Sequence, residues 1–370
     1  MSRTDNNNNN NNRNIAARMG RWSAAHWKTA TFGWLAFVAV AFALGGMVGT
    51  KTIDPTSSDG PGESGRMDRI LDAGFKQPAG ENILIQSRTH RAGEPAFKAA
   101  VADVVARVSR LADVKNVHRG AIARDGRAVL VEFDVRGDKE KAVDKIAPAI
   151  DAVGAAQRSH PGFFIGVFGD ASAEKGVLTA YEDDLGKAGV LSLPITLLIL
   201  LLTFGALLAA GIPLLLGLTA VFATFGLIAL PSHLVPVALQ AYAMVLLIGL
   251  AVGVDYSMFY LKREREERAA GRSEQAALEA AAATSGRSVL ISGLTVIVAM
   301  AGMFLTGDST FNSLGVAAIT VVAIAVLGSL TVLPALLSKL GDRVDRGRVP
   351  LVGRVGRNGR EGRVWGAIID

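Results

Sequence analysis

Hydrophobic positions gather into six long runs, and the widest gap between runs holds a stretch of shorter, alternating patterns. The runs occupy residues 29–49, 189–209, 212–230, 241–261, 289–305 and 314–337. A bilayer core takes about 20 helical residues, with roughly 17–25 tolerated, so each run predicts a membrane span. The first is longer than the roughly 7–15-residue core of a signal peptide, which predicts an uncleaved anchor. Pro194 and Pro213 are expected in the first turns of spans two and three, where the missing amide would have no intrahelical partner.

In the gap, "NILIQS" (82–87) reads as a strand. Residues 94–111 read as a helix with Phe97, Val101, Val104, Val105 and Val108 on one face. "VKNVHRG" is a weaker strand, and "RAVLVEFDV" (127–135) a stronger one entered through the turn dipeptide Asp125-Gly126. A second helix over 138–157, interrupted or bent at Pro148, precedes a last strand at 163–169. The order β-α-β-β-α-β is the split ferredoxin-like arrangement, and a further helix leads from it into span two. The fold class is therefore an α-helical polytopic membrane protein of six spans, with an extracytoplasmic α+β ferredoxin-like domain between spans one and two.

Charge sets the expected orientation. Lys262, Arg263, Arg265, Arg268, Arg272 and Arg287 lie between spans four and five, and eight further Lys and Arg residues follow span six. The connections at 231–236 and 306–312 contain neither residue type. The positive-inside rule then puts both termini in the cytoplasm and the chain in the cell membrane. The domain plan is a disordered basic tail at 1–28, whose "DNNNNNNNRN" has nothing to bury, and span one at 29–49. A porter-like outward domain follows at 50–187, and spans two to six at 188–338 enclose a charged cytoplasmic segment at 262–288. A basic stretch at 339–370 completes the plan, as a tail or the start of a second half.

Half of the 370 residues are hydrophobic and 6% are aromatic. Cysteine is absent, which excludes disulfides, thiol nucleophiles and thiolate metal sites. The net charge of +6 sits beside the apolar runs without interleaved aromatics, which argues against a nucleic-acid partner. His90, His118 and His160 are not spaced as a helical metal pair, so they read as isolated surface histidines, and no Gly-x-Ser-x-Gly motif is present. No cofactor is expected.

Asp255 is the chemical anomaly, a carboxylate about 6 Å from the centre of the fourth run. Inserting it costs roughly 2.5–3.5 kcal/mol on translocon scales. It could snorkel to the surface, although its side chain is short. It could make a structural hydrogen bond, aided by Tyr256 or Ser257, or it could titrate as a proton relay. Gly249 and Gly253, four residues apart just before it, would admit a close neighbouring helix. An intramembrane protease would need paired carboxylates, and no other span carries one in its interior, so no enzyme is expected.

One span, an external α+β domain, five further spans and "GLAVGVDYSMFYLKREREER" together resemble one half of an MMPL-type transporter (mycobacterial membrane protein large), of the resistance–nodulation–division superfamily. The resemblance covers about residues 15–340, and the Asp-Tyr pair followed by a charged helix is its most specific motif. It implies export of lipids, amphiphilic metabolites or drugs driven by proton entry, with protons as the coupling ion. By the resemblance Asp255 and Tyr256 would be relay residues, with Gly249 and Gly253 packing beside them. Such transporters carry two halves and a matching Asp-Tyr pair in the second. The expected partners are thus membrane lipids, an amphiphilic cargo and a second six-span half, in the same polypeptide or another chain. A truncated chain is expected, with "EGRVWGAIID" approaching a seventh span and a self-pairing half-transporter as the alternative. A reading of another class is an accessory membrane protein that binds a partner through its outward domain.

Overall fold

The computed structural model describes residues 15–53, 62–75 and 78–341. The expectations for residues 1–14 and for the basic stretch from Arg343 to Asp370 fall outside these. The chain forms two compact units, Asp54–Gly186 and the segments that flank it. In chain order, α1 (Ile15–Ala25) and α2 (Trp27–Val48) come first, then α3 (Gly62–Gly74). Residues 15–25, expected within the disordered tail that ran to 28, are helical. Their small residues Ala16, Ala17, Gly20 and Ser23 form one buried face, a packing signal that polarity and charge hide.

The α/β unit continues with β1 (Gly80–Gln86), α4 (Pro95–Ser109), β2 (Val114–Ile122), β3 (Ala128–Val135), α5 (Ala147–Ser159) and β4 (Phe164–Gly169). All neighbouring strands are antiparallel, in the order β2-β3-β1-β4. This is the ferredoxin-like topology. Strict alternation puts Val129, Val131, Phe133 and Val135 of β3 on the helix-covered face, beside Ile83 and Ile85 of β1. Phe97, Ala100, Val101, Val104 and Val108 of α4 close the core from above. Burying each large side chain contributes about 1.5–3 kcal/mol. The helix expected over 138–157 is broken at Ile146, and Pro148 stands in the first turn of α5, where proline is tolerated.

Six helices are long and apolar enough to cross a membrane. After α2 they are α6 (Asp170–Phe204), α7 (Leu207–Leu227), α8 (Leu239–Ala269), then the helical stretch comprising α9 (Glu274–Ala281) and α10 (Arg287–Ala301), and α11 (Ser309–Leu340). Helix α6 starts within the α/β unit's sequence. Glu81, 1% exposed on β1, accepts hydrogen bonds from the amides of Ala171 at 2.7 Å and Ser172 at 3.0 Å. A carboxylate there satisfies first-turn donors and complements the helix dipole. Pro194 therefore lies deep inside a 35-residue helix rather than in a first turn. Pro213 lies in the second turn of α7. The break between spans two and three falls at Gly205 rather than at 210–211. Gly205 takes φ +67°, open to glycine at little cost, while Gly211 stays helical.

Candidate functional site

Helix α8 carries the site and has three distinct faces. The first meets α7 at backbone distance: a Cβ on Gly253 would stand 2.6 Å from the Gly217 Cα. The second is wedged between two helices, for a Cβ on Gly249 would stand 2.6 Å from Val221 of α7 and 2.8 Å from Val321 of α11. Both glycines are buried, and both positions exclude any larger residue without a shift. Ser257 donates to the Gly253 carbonyl at 2.7 Å, so its hydroxyl is spent within its own helix.

Tyr256 also points inward. Its ring is buried against α10, where Gly293 leaves room for it, and its hydroxyl lies 3.4 Å from the Ser292 hydroxyl. Ser292 escaped the sequence reading, although a serine inside an apolar run was a usable signal.

The third face is open. Leu247, Ala251, Asp255 and Phe259, each four residues after the last, form one exposed stripe along α8. Among the described residues none bonds to the Asp255 carboxylate. The structure thus separates the two expected relay residues: Tyr256 turns to α10, and Asp255 turns out of the bundle. Their neighbours differ in the same way. Residues of α7 and α11 are two-thirds buried across their apolar windows, whereas those of α6 are 6% buried. Helices α7, α8 and α11 form the inside of the bundle, so an inner helix presents an acidic residue of its apolar stretch to the outside.

In the α/β unit the histidines are not isolated. His90 lies 2.8 Å from Glu94, His118 lies 3.3 Å from Glu132, and His160 lies 3.0 Å from Asp103. His90 stacks on Phe163, and His160 meets the same ring edge-on. Among the described residues no group of three or more metal-binding side chains forms. The Arg107 guanidinium, and after it His160, hold the Asp103 carboxyl below its ordinary value.

The sequence profile described as "MMPL family" matches residues 65–369. The Streptomyces coelicolor membrane protein SCO6666 is 31% identical over 323 residues, covering 84% of this chain and 45% of its own length. The mycolic acid-containing lipids exporter MmpL11 of Mycolicibacterium smegmatis is 41% identical over 175 residues, 47% of this chain and 18% of the exporter. Among solved structures, the hedgehog release protein Disp of the water bear Hypsibius dujardini matches with a TM-score of 0.59 at 14% identity. That match covers 88% of this chain and 49% of the other, and at such identity it shows a shared fold alone. The chain spans less than half the length of each of these proteins.

Proposed function

The chain belongs to the MMPL family, and on that premise we propose that it is one six-helix half of a proton-driven exporter of lipids or other amphiphiles. The observation that carries the reading is the stripe on α8. An exposed aspartate without a described partner, within the apolar stretch of its helix, is costly against lipid and favourable against a polar or hydrated protein face. A second six-helix unit seated on the stripe supplies that face. Asp255 then takes a proton from the outer side and releases it inward, each passage yielding about 2.3 kcal/mol per 100 mV. Tyr256 acts beside it by keeping α8 and α10 in register through Ser292, rather than by passing the proton directly.

Both termini are placed in the cytoplasm, because Lys and Arg crowd the connections on that side. Residues 50–187 are then the outward porter domain. The name of the MmpL11 relative supports a lipid-like cargo. The test is Asp255→Asn in the complete assembly, with export followed under an imposed proton gradient. Normal insertion with loss of proton-dependent export is the expected result. Export undiminished by the substitution would sink the relay.

A further inference from the structure

The two outer strands of the sheet β2-β3-β1-β4 are finished differently. On β2 the ladder slips between Lys115 and His118 and again between Arg119 and Ile122, and Asn116 takes φ +55°. Slips of this kind, together with charged side chains, discourage a further strand from adding. Strand β4 has neither device. Phe164-Ile165-Gly166-Val167-Phe168-Gly169 holds no charge and no proline, and it follows β1 without a register shift.

The ladder fixes which groups β4 offers outward. Ser87 donates to the Arg127 carbonyl and Val135 to the Ala79 carbonyl, both at 3.0 Å, so the odd-numbered residues of β1 bond to β3. The even-numbered ones then bond to β4, at Phe164, Gly166 and Phe168. The amides and carbonyls of Ile165, Val167 and Gly169 are left pointing away from the sheet. Gln157 answers the first of these: its Oε1 accepts from the Ile165 amide at 2.6 Å, while its Nε2 donates to the Phe163 carbonyl at 2.7 Å. Among the described residues no hydrogen bond reaches Val167 or Gly169 from the outer side. Side chains alternate along the strand, so Ile165 enters the core while Phe164 and Phe168 are exposed on the face turned from the helices.

An apolar row of outward amides and carbonyls is a template for another strand. Strand β2 of a second copy is opposed by its slips and charges, and its addition would build an open chain of copies. Strand β4 of a second copy closes the contact on itself. With the two-fold axis at Val167, the two Val167 residues exchange amide-to-carbonyl bonds, and each Gly169 amide meets the opposite Ile165 carbonyl. The Gln157 clamps stay in place in this register. Each Phe168 lies opposite Gly166 of the second copy, where the Phe164 ring, 3.1 Å from the position of a Cβ, gives it an aromatic neighbour. We propose that β4 is a contact between two copies of the chain, joining their sheets into one antiparallel sheet about a two-fold axis. The contact is separate from Asp255 and is read without export, so it stands or falls apart from the relay.

The test uses two differently tagged full chains expressed together, each with one introduced cysteine, and oxidised mildly in membranes. Gly166→Cys with Phe168→Cys should give a disulfide-linked dimer, because residues opposite one another in a non-hydrogen-bonded pair stand about 4.5 Å apart at Cα, within disulfide reach. Ile122→Cys, on β2, with Phe168→Cys should give none. Val167→Pro in both chains should lower the dimer yield about tenfold, since it removes the two bonds at the axis and none to β1. A Gly166–Phe168 pair that oxidises no better than the Ile122 pair would overturn the proposal, even if Phe168→Cys were captured by a chain of another mass. So would a yield unchanged by Val167→Pro while the β1 and β3 amides stay protected from exchange. Should the proline loosen those amides, the contrast between the Gly166 and Ile122 pairs decides alone.

Discussion

Asp103 and Asp255 are both aspartates on helices, and they are treated in opposite ways. Asp103, on α4, is bonded by Arg107 at 2.8 Å and by His160 at 3.0 Å, within a unit whose apolar core is closed by its own sheet and helices. Asp255, on α8, shares its stripe with Leu247, Ala251 and Phe259, and no described residue answers its charge. The α/β unit answers this carboxylate from within its own side chains. The bundle leaves its most expensive group facing outward. A polar group left open where water is absent is where function needs a second surface.

Asp255→Asn separates the two regions most sharply: proton-dependent export should fall to background, while amide-exchange protection of β1–β4 stays unchanged. Next in size is Phe97→Ala in the α4 core, which should cost about 3–5 kcal/mol. Amide exchange of the full chain should show that loss in the α/β unit and leave α7, α8 and α11 protected. Gly253→Val is the reverse case. Its Cβ has no room beside Gly217, so the helix pair should lose about 1–3 kcal/mol, read as a lower melting temperature in detergent.

The smallest effect is a pH dependence. Because the Asp103 carboxyl is lowered in the folded unit, its contribution is fully present above the ordinary 3.8 and is lost as pH falls through the lowered value. The protection lost by Arg107→Ala should therefore shrink as pH drops from about 5 to about 2. A difference that stays constant over that range would remove the ion pair from the explanation.

Much of this contrast was legible in the sequence. Strict alternation marked β3, and period-3.6 spacing marked the buried face of α4, because one closed core dictates both patterns. The six runs were legible for the same reason, lipid being as uniform a partner as a core. Gly205 was not singled out, since leucines and alanines flank both it and Gly211, and only packing decides which glycine turns. The helix leading into span two was legible, but the carboxylate that caps its start was not, because Glu81 lies 90 residues away in the chain. At the site, Asp255 could be picked out by its chemistry alone. That Asp255 and Tyr256 point in different directions, about 100° apart, follows from helix geometry, but which direction is open depends on where α7, α10 and α11 pack.

These 370 residues contain no cysteine, so introduced thiols within them can test what covers the stripe. Single cysteines placed at Phe259, on the stripe, and at Leu198, on an exposed face of α6, can be compared in native membranes with a membrane-permeant maleimide and a bifunctional cross-linker. The Phe259 position should be shielded from the maleimide and cross-link to a second six-helix unit, while Leu198 labels freely. Equal labelling at both positions, with no cross-link from Phe259, would mean that Asp255 faces lipid and that no second unit completes the site.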